Sequence, residues 1–138
     1  MYVASSWRNI IQPDVVEMLV EAGHDVYDFR NPFQNGTGFH WSDISSDWED
    51  WSSEELIDGL EHPLASKGFK SDMDALDWAE AVVMVMPCGR SSHLELGYAV
   101  GQGKKTVVLL TRSEPELMYK MADYLVTDTE QVLHALID

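Results

Sequence analysis

Apolar and polar positions follow two different periods along this chain, and the changes of period predict its strands and helices. Residues 105–110 form an apolar run typical of a strand buried on both faces of a sheet. Residues 2–6 and 81–87 are predicted to be two further buried strands, and residues 24–29 alternate as a strand does. A weaker fifth strand is predicted at residues 124–126.

Helical periodicity lies between these strands. Pro13 and Asp14 begin one helix, with proline in its first turn, and Gly23 fits the left-handed residue that follows its end. A second helix is predicted over residues 92–102, and Gly103 ends it. The inward-facing positions of these two helices and of a final one are Val16, Leu19, Val20, Leu96, Ala99, Val100, Val132, Leu133 and Leu136.

The final helix follows the last strand, and Thr127 and Glu130 at its start have the spacing of a capping box. Strands that alternate with helices in this way indicate a parallel sheet covered by helices on both faces. We therefore predict a single α/β domain over residues 1–138, flavodoxin-like or Rossmann-like, with a parallel sheet of about five strands.

One segment, residues 31–70, interrupts this alternation, and a connection of such length is usually functional or disordered. Its tryptophans are Trp41, Trp48 and Trp51. This aromatic content argues against disorder, and residues 53–60 are predicted to form a helix capped by Ser53. Two interpretations of the tryptophans remain open: packing in the core or at an oligomer contact, and stacking on a planar ligand.

Composition narrows the class of protein. Of the 138 residues, 45% are hydrophobic and 24% are charged, which is the balance of a globular domain. No apolar run approaches the ~20 residues of a membrane-spanning helix, and the first residues lack the basic start of a signal peptide. The single cysteine excludes a disulfide framework within the chain, so a cytoplasmic location is expected.

The formal net charge of −15 excludes two classes of partner. With 24 acidic residues against 9 lysines and arginines, such a surface repels nucleic acids and anionic membranes. A small anionic substrate would therefore need local positive charge. The cations expected near strand ends are Arg8, Arg90, Lys104 and Lys105.

The turn after the third predicted strand carries the strongest chemical signal. It contains Gly89, Arg90, Ser91 and Ser92 and leads into a helix that has Glu95 just inside its start. In an open α/β sheet, ligands bind beyond the carboxyl ends of the strands, and the free N–H groups of a helix N-terminus attract anions. The alternative interpretation is a capping box, in which Ser92 and Glu95 satisfy only their own helix.

Metal chemistry is not indicated by the sequence. The histidines show no spacing typical of metal ligands, so we predict no metal site. Their positions are His24, His40, His62, His93 and His134.

Three stretches of the chain together resemble a known family. They are residues 2–7 in the first strand, Asp72 eight residues before Glu80, and residues 95–99 after the third strand. With the apolar strand between them, these stretches look like the nucleoside 2-deoxyribosyltransferase family, which includes related nucleoside and nucleotide N-glycosidases. The resemblance covers most of the chain, although residues 31–70 match only loosely.

The resemblance implies a role for each matching residue. Glu95 would attack the anomeric carbon of a nucleoside, Asp72 would contact the sugar or the leaving base, and Tyr2 would position the nucleophile. Such a pair of carboxyl groups suits an oxocarbenium-like reaction, because one can capture the sugar while the other protonates the base. The residues that would border the base or a phosphate are Ser5, Ser6, Trp7 and Arg8.

Simpler interpretations exist for several of these residues. Asp72 could be an acid in the first turn of a helix, with Asp74 and Asp77 as close rivals for its role. Tyr2 could be only a strand residue. Arg90 would bind a 5′-phosphate with the adjacent serines and helix N–H groups, or it would lie in a solvated loop.

The expected function is cleavage or transfer at the N-glycosidic bond of a (deoxy)nucleoside or its 5′-monophosphate, with Glu95 as nucleophile and no cofactor. Trp7 and one of the loop tryptophans would enclose the base. The basic, hydroxyl-rich turn at residues 89–92 favours a phosphorylated substrate. Two alternatives remain: an NAD-directed glycohydrolase, and a nucleotide-binding sensor without turnover. The resemblance also implies a homo-oligomer whose neighbouring chains complete the pocket.

Overall fold

The computed structural model describes residues 1–32, 38–112 and 114–137, and a parallel sheet forms its centre. The strands are β1 (Tyr2–Ala4), β2 (Tyr27–Asp28), β3 (Ala81–Val85), β4 (Lys105–Leu109) and β5 (Tyr124–Val126). Their spatial order is β2-β1-β3-β4-β5, and every neighbouring pair is parallel. This is the flavodoxin-like order, so the predicted α/β fold class is confirmed.

Helices cover both faces of the sheet, as predicted. The α-helices are α1 (Gln12–Glu21), α2 (Ser53–Leu60), α3 (Pro63–Trp78), α4 (Arg90–Gly101) and α5 (Thr129–Ile137). On one face, α3 and α4 pack against Tyr2, Val82 and Met84 of the strands. On the other face, α1 and α5 pack against Val3 and Val83. Successive residues of β1 and β3 thus enter opposite cores, because strand side chains alternate between the faces.

Helix α1 begins with Pro13 in its first turn, as predicted, and Gly23 follows its end with a φ of 93°. Its buried stripe differs from the predicted one. Val15 and Leu19 are fully buried, whereas Val20 is 54% exposed. Since Gln12 is buried as well, the inward face follows residues 12, 15 and 19, and Val20 is turned away from it.

Two helix caps lie one residue away from their predicted positions. The cap of α2 is Ser52, which forms a complete capping box with its helix. At α5, Asp128 accepts a hydrogen bond from the N–H of Gln131, in place of the predicted pairing of Thr127 with Glu130. Both regions contain consecutive residues able to cap a helix, so spacing alone does not choose between them.

The strands are shorter than predicted at the edge where ligands are expected. β1 stops at Ala4 and β3 stops at Val85, and β2 comprises only two of the residues predicted over 24–29. Helix α4 begins at Arg90, two residues before its predicted start. Loops rather than strands therefore follow the carboxyl ends of β1 and β3.

The interrupting segment at residues 31–70 contains short helices and packed aromatic rings, and its residues 33–37 lie outside the described part of the chain. The 3-10 helices described in this segment are Trp41–Asp43 and Trp48–Asp50. A further one, Leu117–Met121, lies between β4 and β5. Trp51 lies so close to Gly59 that a Cβ there would be 2.5 Å from its ring. It also meets Trp41 at 5.9 Å between ring centroids, so packing explains Trp51.

No helix in the described residues combines the length and the apolar character needed to cross a membrane.

Candidate active site

A cavity of about 670 Å³ opens beyond the carboxyl ends of β1 and β3, where the sequence predicts a ligand site. Its size is that of small-molecule sites, which span roughly 300–1,000 Å³. Helices α3 and α4 and the aromatic segment at residues 38–48 form its other walls. The predicted site residues that line it are Ser5, Ser6, Trp7, Arg8, Asp72, Gly89, Arg90, Ser91, Ser92 and Glu95.

Glu95 turns its carboxyl group towards the sheet rather than towards the start of its own helix. The hydroxyl of Tyr2, a fully buried residue of β1, donates a hydrogen bond to Glu95 Oε2. The N-cap of α4 is Gly89, so Ser92 lies inside the helix and cannot be its cap. Ser92 Oγ donates instead to the carbonyl oxygen of Ser5 over 2.9 Å. The capping-box interpretation of Glu95 is therefore wrong.

The environment of Glu95 strongly favours its protonated form. Burial raises the pKa of Glu95 to about 8. The hydrogen bond from Tyr2 favours the ionised carboxylate and so acts against burial. Because the effect of burial is the larger of the two, Glu95 is mostly protonated at neutral pH. A ligand that develops positive charge beside it would favour release of this proton.

Asp72 lies in the middle of α3, so its interpretation as a first-turn acid is wrong. Tyr27 donates a hydrogen bond to Asp72 Oδ1 over 2.8 Å. Burial raises the pKa of Asp72, and the hydrogen bond from Tyr27 lowers it in part. The rivals of Asp72 do not line the cavity: Asp74 is in an exposed ion pair, and Asp77 accepts a hydrogen bond from Tyr98.

Two buried polar residues, Ser5 and Asn9, fix the loop after β1 to the end of β3. Ser5 Oγ donates to the carbonyl oxygen of Val85 over 2.8 Å, and Asn9 Nδ2 donates to that of Pro87 over 3.0 Å. Asn9 Oδ1 accepts a hydrogen bond from the N–H of Gln12 over 2.8 Å, at the start of α1. Sequence reasoning missed Asn9, although an asparagine just before a helix is a recognisable cap signal.

Arg30 holds the same loop from the side of β2. Its guanidinium donates to the carbonyl oxygens of Ser6, Trp7 and Asn9 over 2.9, 2.9 and 2.7 Å. These contacts fix the backbone from which two cavity residues project. Sequence reasoning missed Arg30, since its partners are backbone atoms more than twenty residues away.

Aromatic rings form one wall of the cavity. Trp7 lies against His40, with ring centroids 4.1 Å apart and planes tilted by 32°, and it meets Phe29 edge-on at 5.3 Å. Trp41 and Trp48 also line the cavity. The structure therefore brings Trp7 and two loop tryptophans to one cavity, and enclosure of a base between them stays a prediction.

Positive charge reaches the cavity from Arg8, Arg90 and Lys67. Both arginines are exposed, as flexible anion-binding side chains often are. Sequence reasoning missed Lys67, because spacing alone does not show which side of α3 faces the site. The expectation that Lys104 and Lys105 lie near the ligand site is wrong. They precede and begin β4, so they lie at the amino ends of the strands, whereas the cavity lies beyond the carboxyl ends. Lys104 Nζ donates to a backbone carbonyl oxygen over 2.6 Å.

Metal binding has no visible donor set in the part of the chain that the structure describes. No group of three or more His, Cys, Asp or Glu side chains there is arranged to hold an ion. His93 has a packing role: its Nδ1 donates to the carbonyl oxygen of Gly89 over 2.6 Å, and its Nε2 lies 2.9 Å from Tyr119 Oη.

Comparison with known proteins adds no further constraint: no protein-family model and no curated sequence matches this chain. Function is therefore inferred from the geometry and electrostatics of the cavity.

Proposed function

We propose that this protein cleaves or transfers the N-glycosidic bond of a (deoxy)nucleoside or its 5′-monophosphate. One observation carries the proposal: the carboxyl group of Glu95 is partly buried at the cavity and is held by Tyr2 instead of capping its own helix. A carboxyl group with a strongly raised pKa in a cleft is typical of a reactive site. Asp72 supplies a second carboxyl group on the same cavity.

In the proposed reaction, Glu95 forms and then breaks one covalent bond. Its carboxylate attacks the anomeric carbon while the carbon–nitrogen bond breaks, and the base leaves with the bonding electrons and takes up a proton. Water, or a nitrogen of a second base, then attacks the same carbon, loses its proton and releases Glu95. Tyr2 orients the attacking oxygen, and Asp72 contacts the sugar or protonates the base.

A 5′-phosphate is the anionic group that we propose for the substrate. Arg8 and Arg90 line the cavity, and Ser91, which follows Arg90 in the first turn of α4, lines it as well. Guanidinium groups and the free N–H groups of a helix N-terminus are suited to phosphate oxygens. A protein with a net charge of −15 would otherwise repel such a ligand.

A second function, nucleotide binding without turnover, is favoured by the pKa of Glu95. With a pKa of about 8, this group is mostly neutral at pH 7, and a neutral carboxyl group is a hydrogen-bond donor rather than a nucleophile. The two functions differ in one observable: only the glycosidic enzyme releases a free base.

Chromatographic detection of free base tests the proposal. The panel comprises nucleosides, 5′-monophosphates and NAD, each with and without an acceptor base. We expect release by the wild type and none by Glu95→Gln, which keeps an acceptor for the Tyr2 hydroxyl. Asp77→Asn, outside the cavity, is the matched control and should stay active. Ligand binding without release would favour the sensor, and release by Glu95→Gln at the wild-type rate would contradict the mechanism.

We also propose that the chain forms a homo-oligomer through α2 and the first half of α3. Large apolar side chains there are between 42% and 69% exposed, and they are Leu56, Ile57, Leu60, Leu64 and Phe69. Apolar patches of this kind mark interaction surfaces. Light scattering after size-exclusion chromatography should show an oligomer that Ile57→Lys dissociates and Leu117→Lys, at an exposed position of the 3-10 helix Leu117–Met121, does not. A wild-type monomer at all concentrations would contradict this.

A further inference from the structure

Two tyrosines on neighbouring strands each hold one of the two cavity carboxyl groups. Tyr2 of β1 and Tyr27 of β2 are register partners, and their rings stack with centroids 5.2 Å apart and planes 17° apart. Tyr2 donates to Glu95 on α4, and Tyr27 donates to Asp72 Oδ1 on α3 over 2.8 Å. The register of the sheet therefore determines where both carboxyl groups are held.

The hydroxyl of Tyr27 has little freedom to move. The side chain is 1% exposed, its ring packs on that of Tyr2, and its oxygen also lies 2.9 Å from Ser71 Oγ. Parallel strands are separated by about 4.8 Å, so the two rings stack without displacing the backbone. The hydrogen bond to Asp72 is thus built into the sheet and does not depend on a flexible surface side chain.

We propose that Tyr27 is a positioning residue for the glycosidic reaction: it holds Asp72 Oδ1 so that Oδ2 is directed at the sugar or the base. The inference rests on the proposed function. A carboxylate with one oxygen fixed presents the other in a single direction, which is what a reactive arrangement of carboxylate and substrate requires.

Tyr27 can act only as a donor to Asp72 at ordinary pH. Burial, together with the negative charges of Asp72 and Asp28, raises the pKa of Tyr27 and keeps its hydroxyl protonated. The other titratable and charged side chains that line the cavity with Asp72 are Arg8, Tyr27, His40, Asp43, Lys67, Arg90 and Glu95. Removing one hydroxyl leaves all the other charges in place.

Kinetics of Tyr27→Phe provide the first test, because this change removes the hydroxyl and keeps the stacked ring. We expect kcat/KM for base release to fall by about tenfold to a hundredfold, as for other misplaced catalytic groups. In an Asp72→Asn background the same change should have little further effect, since both act through one carboxylate. Tyr98→Phe is the matched control. Tyr98 donates over 2.6 Å to Asp77, which lies on α3 as Asp72 does but outside the cavity.

Carbon NMR titration of the Asp72 carboxyl group is the second test, and it needs no turnover. Because a donated hydrogen bond favours the ionised form, Tyr27→Phe should raise the pKa of Asp72, whereas Tyr98→Phe should not. If Tyr27→Phe fails to fold, fluorotyrosine at position 27 serves instead. Its more acidic hydroxyl is a stronger donor and should lower the pKa of Asp72.

The two tests separate failure of this inference from failure of the proposed function. Wild-type activity that is lost in Glu95→Gln but kept in Tyr27→Phe, with the Asp72 titration unmoved, would overturn the role of Tyr27 and leave the function intact. A wild type that releases no base would overturn the function. The titration alone would then decide whether Tyr27 controls Asp72: a changed pKa supports that control, and an unchanged pKa overturns it.

Discussion

Glu95 is the residue on which the proposed chemistry depends, and its burial has opposite effects on stability and on function. An ionised carboxyl group in this position destabilises the folded protein, because water solvates the charge better than the cavity does. A group of this kind is expected at a site where reactivity has been favoured over stability. The hydroxyl of Tyr2 is the partner that makes the ionised form accessible.

The difference in stability between Glu95→Gln and the wild type should therefore depend on pH. The pKa of Glu95 is raised from 4.5 to about 8 on folding, so its contribution to stability is complete below pH 4.5 and is lost as the pH rises to about 8. A tenfold difference in the acid dissociation constant between the folded and unfolded states corresponds to about 1.4 kcal/mol. The full shift would correspond to about 5 kcal/mol. Because Glu95 is only partly buried and solvent screens its charge, we expect the stability of Glu95→Gln relative to the wild type to increase by about 2–4 kcal/mol across this window.

Urea unfolding at pH 5 and at pH 8.5 measures this difference. Glu130→Gln, on the exposed side of α5, is the matched control. An equal stability difference for Glu95→Gln at the two pH values would show that the pKa of Glu95 is the same in the folded and the unfolded protein.

The pH dependence of base release should report the same group. Only ionised Glu95 can attack, so kcat/KM should rise with pH through a pKa of about 8 in the free protein. Tyr2→Phe removes the hydrogen bond that favours the ionised form, so its rising limb should lie at higher pH. A kcat/KM that stays constant between about pH 6 and pH 9 would exclude Glu95 as the group that must ionise.

At the scale of secondary-structure elements, the site depends on how two loops are joined at the edge of the sheet. β1 and β3 pair along their length, but the loops that follow them are joined by hydrogen bonds from Ser5, Asn9 and Ser92 to backbone groups. This arrangement keeps the start of α4, with Glu95, in register with the Tyr2 hydroxyl.

Asn9→Ala should weaken this junction although Asn9 does not line the cavity. The change removes an acceptor for α1 N–H groups and a donor to Pro87, so we expect a loss of about 2 kcal/mol in unfolding free energy. We also expect a lower kcat/KM. Asn9→Asp keeps the acceptor and loses the donor, so it separates the two contributions. Unchanged stability and activity in Asn9→Ala would remove the junction from the explanation of the site.

At the scale of the whole molecule, the strand–helix alternation was sufficient to predict the fold class. The strands and the helices α1, α4 and α5 have local periodic signals, and parallel connections leave few arrangements of a small sheet. The extent of α3 was not predicted, and its first half falls within the interrupting segment at residues 31–70. The ends of elements were predicted less well, as the short β2 and the displaced caps of α2 and α5 show. Those ends depend on single hydrogen bonds, for which several adjacent residues compete.

The parts of the candidate site that lie next to strand ends could be predicted from the sequence. The parts that depend on contacts between residues distant in sequence could not. Residues 89–92, at the start of α4, and the loop after β1 both lie close to the carboxyl ends of strands, where the sequence placed them. Tyr27 acquires its role from its register with Tyr2, and Lys67 from the rotation of α3, neither of which local spacing reports. The expectation for Lys104 was wrong because a residue that precedes a strand lies at its amino end, and the site lies beyond the carboxyl ends of the parallel strands.

The measurement that tests the central claim most directly is mass spectrometry of a trapped sugar on Glu95. A nucleoside 5′-monophosphate with fluorine at the 2′ carbon slows the second step, because fluorine destabilises the oxocarbenium-like state. Trypsin then releases residues 91–104, in which Glu95 is the only side-chain carboxyl group. We predict that this peptide gains the mass of the fluorinated sugar phosphate in the wild type and not in Glu95→Gln. Release of base with this peptide unmodified would contradict the covalent role of Glu95.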